Sequence, residues 1–318
     1  MHKDTRIFVA GHRGMVGSAV VRALLRRGYG NVVTRTRAEL DLTDQTAVTA
    51  FFRNEAIEVT VLAAAKVGGI MANVTHPADF FYQNVMIEAN VIHAAYISGV
   101  QRMAFLGSSC IYPRDCPQPI KEAYLLTGPL EKTNEPYAIA KIAGITLCEA
   151  LNRQHGTQYV SLMPTNLYGP NDNYSLDTSH VLPALLRKAH EAKVQGARSM
   201  AVWGTGRVRR EFLHVDDMAS ATVFMLEEAV SSGVYNVGCG TDVSIEELAL
   251  TIAHVVGFNG DLAFDASKPD GTPRKLLDVS KLAELGWRAT IGLEAGLERT
   301  YKDFLGQHRP EIAQVASW

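Results

Sequence analysis

The stretch "RIFVAGHRGMVGSAVVRALLRRG" constrains the fold more than any other part of the chain. An apolar run passes at once into an amphipathic pattern, and Gly11, Gly14 and Gly17 stand between them in G-x-x-G-x-x-G spacing. Glycines there allow a tight reversal and a close approach of backbone to ligand. The helix that follows aims unpaired N–H groups and a partial positive charge at the turn. Strand, glycine turn and helix together read as the phosphate-binding half of a dinucleotide site, against the plainer reading of an ordinary tight βα turn.

The alternation continues. Strand candidates at 6–11, 31–36, 59–65, 102–109 and 159–165 are nearly all apolar and are separated by amphipathic stretches, as in a parallel sheet covered on both faces. The expected fold is α/β: a doubly wound, Rossmann-type parallel sheet over residues 1–170, then a smaller mixed substrate lobe over 171–318. Segments near 205–238 are expected to return to the main sheet. With 318 residues, 47% of them hydrophobic, the chain can bury a sizeable core. Its 31 basic and 33 acidic side chains nearly cancel, which argues against nucleic acid or an anionic membrane as partner. Four scattered cysteines without CxxC spacing or a His cluster exclude a disulfide scaffold and disfavour structural zinc, so no metal is expected. With no long apolar run and a first strand starting by Arg6, neither a membrane span nor a signal peptide is expected, and a reducing cytoplasm is the default.

The end of the second strand reads "TRTRAEL". NAD-binding chains place a carboxylate there for the ribose 2′-OH, whereas this chain has Arg35 and Arg37 and no acid before Glu39. Guanidinium groups suit a 2′-phosphate, so NADP(H) is the expected cofactor, with Arg35 foremost and Arg13 in support. The competing reading leaves these arginines as solvated surface groups.

"PYAIAKIAG" puts Tyr137 and Lys141 four residues apart, on one face of a helix. A nearby ammonium is expected to lower the phenol pKa and make Tyr137 a usable acid/base near neutral pH. The pair follows "GSS" at the end of another strand by about thirty residues. The glycine loop, "LAAAKVGG", Ser108, Tyr137-x-x-x-Lys141, "NLYGP" and "REFLHVDD" occur in an order that resembles the extended short-chain dehydrogenase/reductases acting on nucleotide sugars. The resemblance spans nearly the whole chain. It implies Tyr137 as proton donor to a reducing carbonyl, Ser108 as partner to that oxygen, and Lys141 on the nicotinamide ribose.

Cys110, in "GSSCIYP", stands where sugar dehydratases of the family carry carboxylates and 4-epimerases need no acid or base. A thiolate beside a ketone can remove a flanking C–H proton when the enolate oxygen is stabilised. His180, opening the pattern "HVLPALLRK", corresponds to the family's second acid/base residue. With "KVGGIMAN", "MPTNLYGPNDN" and "KPDGTPRKLLD", the motif set is similar to the family's bifunctional members. Those epimerise GDP-4-keto-6-deoxy-D-mannose at C3 and C5 and reduce C4 with NADPH, so a GDP-linked keto-deoxy sugar is the implied substrate. The resemblance further implies cofactor contacts from Met15, Val16, Asp41, Leu42, Ala64, Pro164, Asn166, Leu167 and His180. Arg210 and Lys188 are candidates for the diphosphate and Trp203 for a flat face near nucleotide or sugar, with Asp270 and Lys275 in substrate-contacting positions. The helices near 78–99 and 136–154 imply a homodimer. Residues 228–234 look shorter than in some members. Two other readings remain: a different keto-sugar reductase or epimerase with Cys110 merely structural, or a silent NADP sensor.

Overall fold

The structure, a computed structural model, describes residues 1–307 apart from 177, 229–231 and 269; part of the short 228–234 segment therefore lies outside the described residues. The first half runs β1 (Ile7–Ala10), α1 (Met15–Arg26), β2 (Val32–Val33), α2 (Gln45–Glu55), β3 (Val59–Leu62), α3 (Ile70–Thr75), α4 (Pro77–Ile97), β4 (Arg102–Leu106), α5 (Glu135–His155), β5 (Gln158–Pro164) and β6 (Asn166–Tyr168). The second half runs α6 (Val181–Val194), β7 (Ser199–Trp203), β8 (Arg209–Arg210), β9 (Phe212–His214), α7 (Val215–Glu227), β10 (Gly233–Val237), β11 (Val243–Ser244), α8 (Ile245–Val256), β12 (Asp261–Asp265), β13 (Arg274–Lys275), α9 (Ser280–Glu284) and α10 (Leu293–Gln307).

Six strands form one parallel sheet in the order β10-β5-β4-β3-β1-β2. Its strands are buried on both faces, which is why they read as unbroken apolar runs. One face carries α2, α4 and α5 on a core that includes Phe8, Phe52, Phe105 and Ile145. The other carries α1 and α7 on Val9, Leu24, Leu162 and Met218. The order reverses between β1 and β3, so the glycine turn after β1 opens into the crevice where such sheets bind ligands.

The region after Gly169 divides its elements. β9, α7, β10 and α9 pack on the main sheet, whereas α6, α8 and α10 enclose a separate apolar core with β7 and β12 paired beside it. A small sheet of β11, β8 and β13 brings Lys275 into parallel register with Arg210. Buried Glu211 fixes this junction by accepting from the backbone N–H groups of Gly240 (2.7 Å) and Leu277 (3.0 Å). The strand expected over 31–36 is only Val32–Val33. At the sheet edge a brief pairing suffices, and the chain then turns so that Thr34–Arg37 faces the crevice instead of continuing the ladder. No described helix is long and apolar enough to cross a membrane.

Candidate active site

The glycine turn is built to close tolerance. Gly11 has φ +85°, and a Cβ on it would lie 2.7 Å from the Ala64 backbone nitrogen. A Cβ on Gly17 would lie 2.1 Å from the Gly11 carbonyl oxygen. Gly14 differs, since a Cβ there meets only the Gly11 oxygen at an ordinary 3.5 Å. The protein's own packing thus requires Gly11 and Gly17, while the bare Cα of Gly14 leaves open space at the helix mouth. Gly14 is also the N-cap of α1; no side chain caps the helix and no acidic residue lies in its first turn. Its N-terminal N–H groups therefore suit a pyrophosphate. Met15 and Val16 pack partly against the α1 face of the core, as does Leu167 on β6. Asn166 donates to the Glu211 carbonyl (2.9 Å), and Pro164 ends β5 beside it.

At the end of β2, Arg35 pairs with Glu55, lies 5.3 Å over the Phe51 ring and donates to the Thr34 carbonyl at 2.8 Å. Glu55 is shared with Arg6. The charges of Arg35 and Arg13 both act on the Glu39 carboxylate, so the three groups share one corner. Arg37 is engaged 3.7 Å from Asp41, whose carboxylate also accepts from Thr43 and is held below its usual range chiefly by that hydrogen bond. The Leu42 carbonyl is tied to Asn90 of α4 at 3.0 Å. A ribose 2′-phosphate fits this basic corner.

The reactive groups gather where β4 ends. Ser108 caps a single 3-10 turn, Ser109–Ile111, its hydroxyl accepting from the Cys110 N–H at 3.3 Å. The same hydroxyl lowers the pKa of the Cys110 thiol and of the Tyr137 phenol, against the larger effect of burial. Lys141, one turn along α5 from Tyr137, donates to the Leu106 carbonyl at 2.9 Å and is ion-paired with Glu88 of α4 at 3.0 Å. The pKa of Tyr137 lies well above its ordinary value, contrary to the expectation from sequence. Burial is the main cause, and the charges of Cys110 and Glu88 add to it. The Lys141 ammonium is 5.9 Å from the ring centroid and compensated by Glu88, so the ligand-free phenol keeps its proton.

Cys110 is buried, and burial pushes its thiol pKa up; Lys275 and then Ser108 pull it back. His180 is the N-cap of α6, yet its ring makes no capping bond. The imidazole remains accessible to solvent, while the protein packed around it and the Lys275 charge push its pKa down. The chain before it is braced by the "VGG" loop: Gly69 N–H donates to the Thr178 carbonyl at 3.0 Å, and a Cβ on Gly69 would crowd Ser179. Ser108, Cys110 and Tyr137 thus lie within one another's electrostatic reach, and the Lys275 charge acts on both Cys110 and His180.

On the lobe side, the Trp203 indole is 56% exposed and lies between two cations, Lys188 at 5.0 Å and Lys268 at 5.4 Å. Burial lowers the pKa of Lys188 and, foremost among its influences, those of Arg210 and Lys275. Asp270, expected to contact substrate, is engaged within the protein. Its oxygens accept from the Thr205 N–H (2.7 Å) and hydroxyl (2.8 Å), which fixes the turn beside Trp203 and leaves further acceptor sites on the carboxylate. Sequence reasoning missed Glu88, Glu211 and Lys268. For the two glutamates the available signal was a charge inside an otherwise apolar pattern, "NVMIEANVI" and "REFLHV".

This arrangement has close counterparts. GDP-L-fucose synthase of Escherichia coli (strain K12) is 59% identical over 309 residues, covering 94% of this chain and 96% of that one. GDP-L-fucose synthase 1 of Arabidopsis thaliana is 58% identical over 303 residues, covering 95% and 94%. Among solved structures, the NADP-bound GDP-mannoheptose C4 reductase MlghC of Campylobacter jejuni superposes with a TM-score of 0.89 at 40% identity, covering 96% of this chain and 99% of that one. Residues 7–238, from the first strand through the glycine turn, the Tyr137–Lys141 helix and the last strand of the sheet, match a single family description, and the chain belongs to the NAD dependent epimerase/dehydratase family.

Proposed function

We propose that this protein converts GDP-4-keto-6-deoxy-D-mannose to GDP-L-fucose, inverting C3 and C5 and then reducing the C4 ketone with NADPH. The observation that supports the reading is the Lys275 charge, which acts on both Cys110 and His180, with Ser108 and Tyr137 beside Cys110. A plain C4 reductase needs the phenol and the hydroxyl but no second acid/base pair. The identities to GDP-L-fucose synthases, 59% and 58% over nearly the full chain, support the same choice.

The glycine turn and α1 hold the cofactor pyrophosphate, Arg35 and Arg13 its 2′-phosphate, and Lys141 the nicotinamide ribose. NADPH bound there supplies the hydride for C4. Ser108 and Tyr137 hydrogen-bond the C4 oxygen, which makes the protons on both flanking carbons more acidic. Cys110, as thiolate, removes a proton from C3 or C5, and His180 returns one from the opposite face. The carbon is inverted while the proton count is unchanged. After both inversions Tyr137 gives its proton to the C4 oxygen, a role suited to a phenol that keeps its proton in the free site. Lys188, Arg210 and Lys275 meet the diphosphate, and Trp203 offers its face to the base or sugar. The reading extends to a cytoplasmic homodimer joined through α4 and α5, supported by the exposed Phe81, Tyr82, Ile97 and Ile139 on those helices. Ile145 is fully buried against the sheet and takes no part in that surface.

The test is a single turnover in D2O with NADPH and the keto-sugar, followed by mass analysis after return to ordinary water. Carbon-bound deuterium at both C3 and C5 together with NADPH oxidation is expected. Oxidation without carbon-bound deuterium would make the protein a plain ketoreductase and overturn the epimerase half.

A further inference from the structure

Glu88 sits in the middle of α4, facing α5, and is 1% exposed. Its carboxylate lies 3.0 Å from the ammonium of Lys141, itself 2% exposed. Neither carboxylate oxygen accepts a hydrogen bond of ordinary geometry among the described residues, so the ammonium charge is its main compensation. Room for it is made by Gly144, one turn beyond Lys141 on α5. A Cβ there would lie 2.7 Å from Glu88 Oε2 and 2.6 Å from Phe105 Cζ. A buried carboxylate, a buried ammonium and a missing methyl group are thus arranged around one contact.

Stability alone does not explain such a pair. Two ions withdrawn from water are commonly matched or bettered by apolar side chains of the same volume. Burial pushes the Glu88 carboxyl up, and the Lys141 ammonium pulls it back. Around the ammonium, the Phe105 and Tyr137 rings and the Leu106 carbonyl complete an enclosure in which Glu88 is the ion-paired partner. A lysine ammonium has three donors. With one on Leu106 and its charge balanced by Glu88, the group is fixed at the end of β4, with donor capacity left for a ligand.

We propose that Glu88 is a positioning residue for the reductive half of the reaction: it holds the Lys141 ammonium in place, aimed at the nicotinamide ribose. The inference rests on the NADPH-dependent reading above. It separates two carboxylate–lysine functions that look alike, a structural ion pair and a device that presents a cation to a cofactor.

The test compares the intact protein with Glu88→Gln, which keeps the shape and removes the charge. Three quantities are read: the NADPH dissociation constant by fluorescence titration without sugar, NADPH oxidation with the keto-sugar, and carbon-bound deuterium in D2O. Loss of a charge-assisted contact predicts NADPH binding weakened about tenfold and oxidation lowered at least about tenfold, with deuterium incorporation within about threefold of the parent. In a Lys141→Met background the same change should move the dissociation constant by less than about twofold, because Glu88 acts through Lys141. Unchanged NADPH affinity and oxidation in Glu88→Gln would overturn the proposal. So would an undiminished effect in the Lys141→Met background, or a parallel fall of oxidation and deuterium incorporation with a lowered thermal midpoint. If Glu88→Gln does not fold, Glu88→Asp keeps the charge and withdraws it from Lys141; parent-like NADPH affinity in that variant is equally fatal. If the parent protein oxidises no NADPH with this sugar, the proposed reaction fails by itself, while the binding cycle still decides the role of Glu88.

Discussion

The Lys275 ammonium is the strongest charge acting on the Cys110 thiol, and the same ammonium acts on the His180 imidazole. One cation therefore favours the ionised form of the base and disfavours the ionised form of the acid. Removing it has a definite sign at both groups. The thiol pKa, which Lys275 lowers, must rise, and the imidazole pKa, which Lys275 also lowers, must rise too. For a pair active as thiolate plus imidazolium, the imidazole sets the acid limb of the rate profile and the thiol sets the basic limb. Lys275→Met is expected to move both limbs of the kcat/KM profile for deuterium exchange toward higher pH. Arg210, Cys116 and Glu131 also act on Lys275, and each stays in place in this variant. Limbs that stay fixed, or move in opposite directions, would exclude Lys275 as the shared electrostatic partner.

In the proposed mechanism Cys110 and His180 serve inversion and not reduction, so the two activities should separate. Cys110→Ala is expected to lower carbon-bound deuterium by about two to four orders of magnitude, the usual worth of a positioned acid/base group. NADPH oxidation should persist, giving a C4-reduced product of uninverted configuration. Mass and NMR analysis of the isolated sugar reads both. Deuterium incorporation at the parent rate would return Cys110 to the role of a buried apolar residue.

Much of this site was legible because its chemistry is local in sequence. The glycine turn declares itself by spacing, and Tyr137 and Lys141 by four residues on one helix. Other features depend on contacts that no local pattern carries. Arg35 reads as a free cation until Glu55, twenty residues on, is found against it. Lys275 reaches Cys110 only because β13 pairs with β8 and Glu211 holds the Leu277 backbone. The shift of Tyr137 ran against expectation because the sequence shows the ammonium and hides the burial of the phenol, with Cys110 and Glu88 adding to it. Asp270 shows no partner in sequence, whereas in space Thr205, sixty-five residues away, donates to its carboxylate.

The three turn glycines predict three separable outcomes. Gly17→Ala sets a methyl group 2.1 Å from the Gly11 oxygen, a backbone atom that cannot rotate away. Overpacking of this kind costs ~1–3 kcal/mol, and a thermal midpoint lowered by on the order of 5 °C is expected. Gly14→Ala meets nothing closer than 3.5 Å, so its midpoint should match the parent. Its methyl group points into the mouth of α1, where it should weaken NADPH binding in a fluorescence titration. Gly11→Ala combines a 2.7 Å backbone contact with a φ of +85° and should be the least stable of the three.

The role proposed for Arg35 is to decide between the two nicotinamide cofactors. It is held at the end of β2 by Glu55, Phe51 and the Thr34 carbonyl, so its guanidinium is pre-positioned before any phosphate arrives. Arg35→Ala removes that group while Glu55 keeps Arg6 as a partner, so the α2 anchor survives. A hydrogen bond to a charged group contributes ~1.5–3 kcal/mol, which converts to a rise of about 10- to 100-fold in KM for NADPH. KM for NADH, which lacks the 2′-phosphate, should change little. Glu39 supplies the opposite sign, because its carboxylate lies in the field of Arg35 and Arg13 and would repel a phosphate there. Glu39→Gln should therefore improve NADPH binding modestly, most visibly at low salt, where exposed charges are least screened. Steady-state kinetics with both cofactors reads all of these values. Equal losses for NADPH and NADH in Arg35→Ala would mean that Arg35 organises the fold of the β2 edge rather than recognising the phosphate.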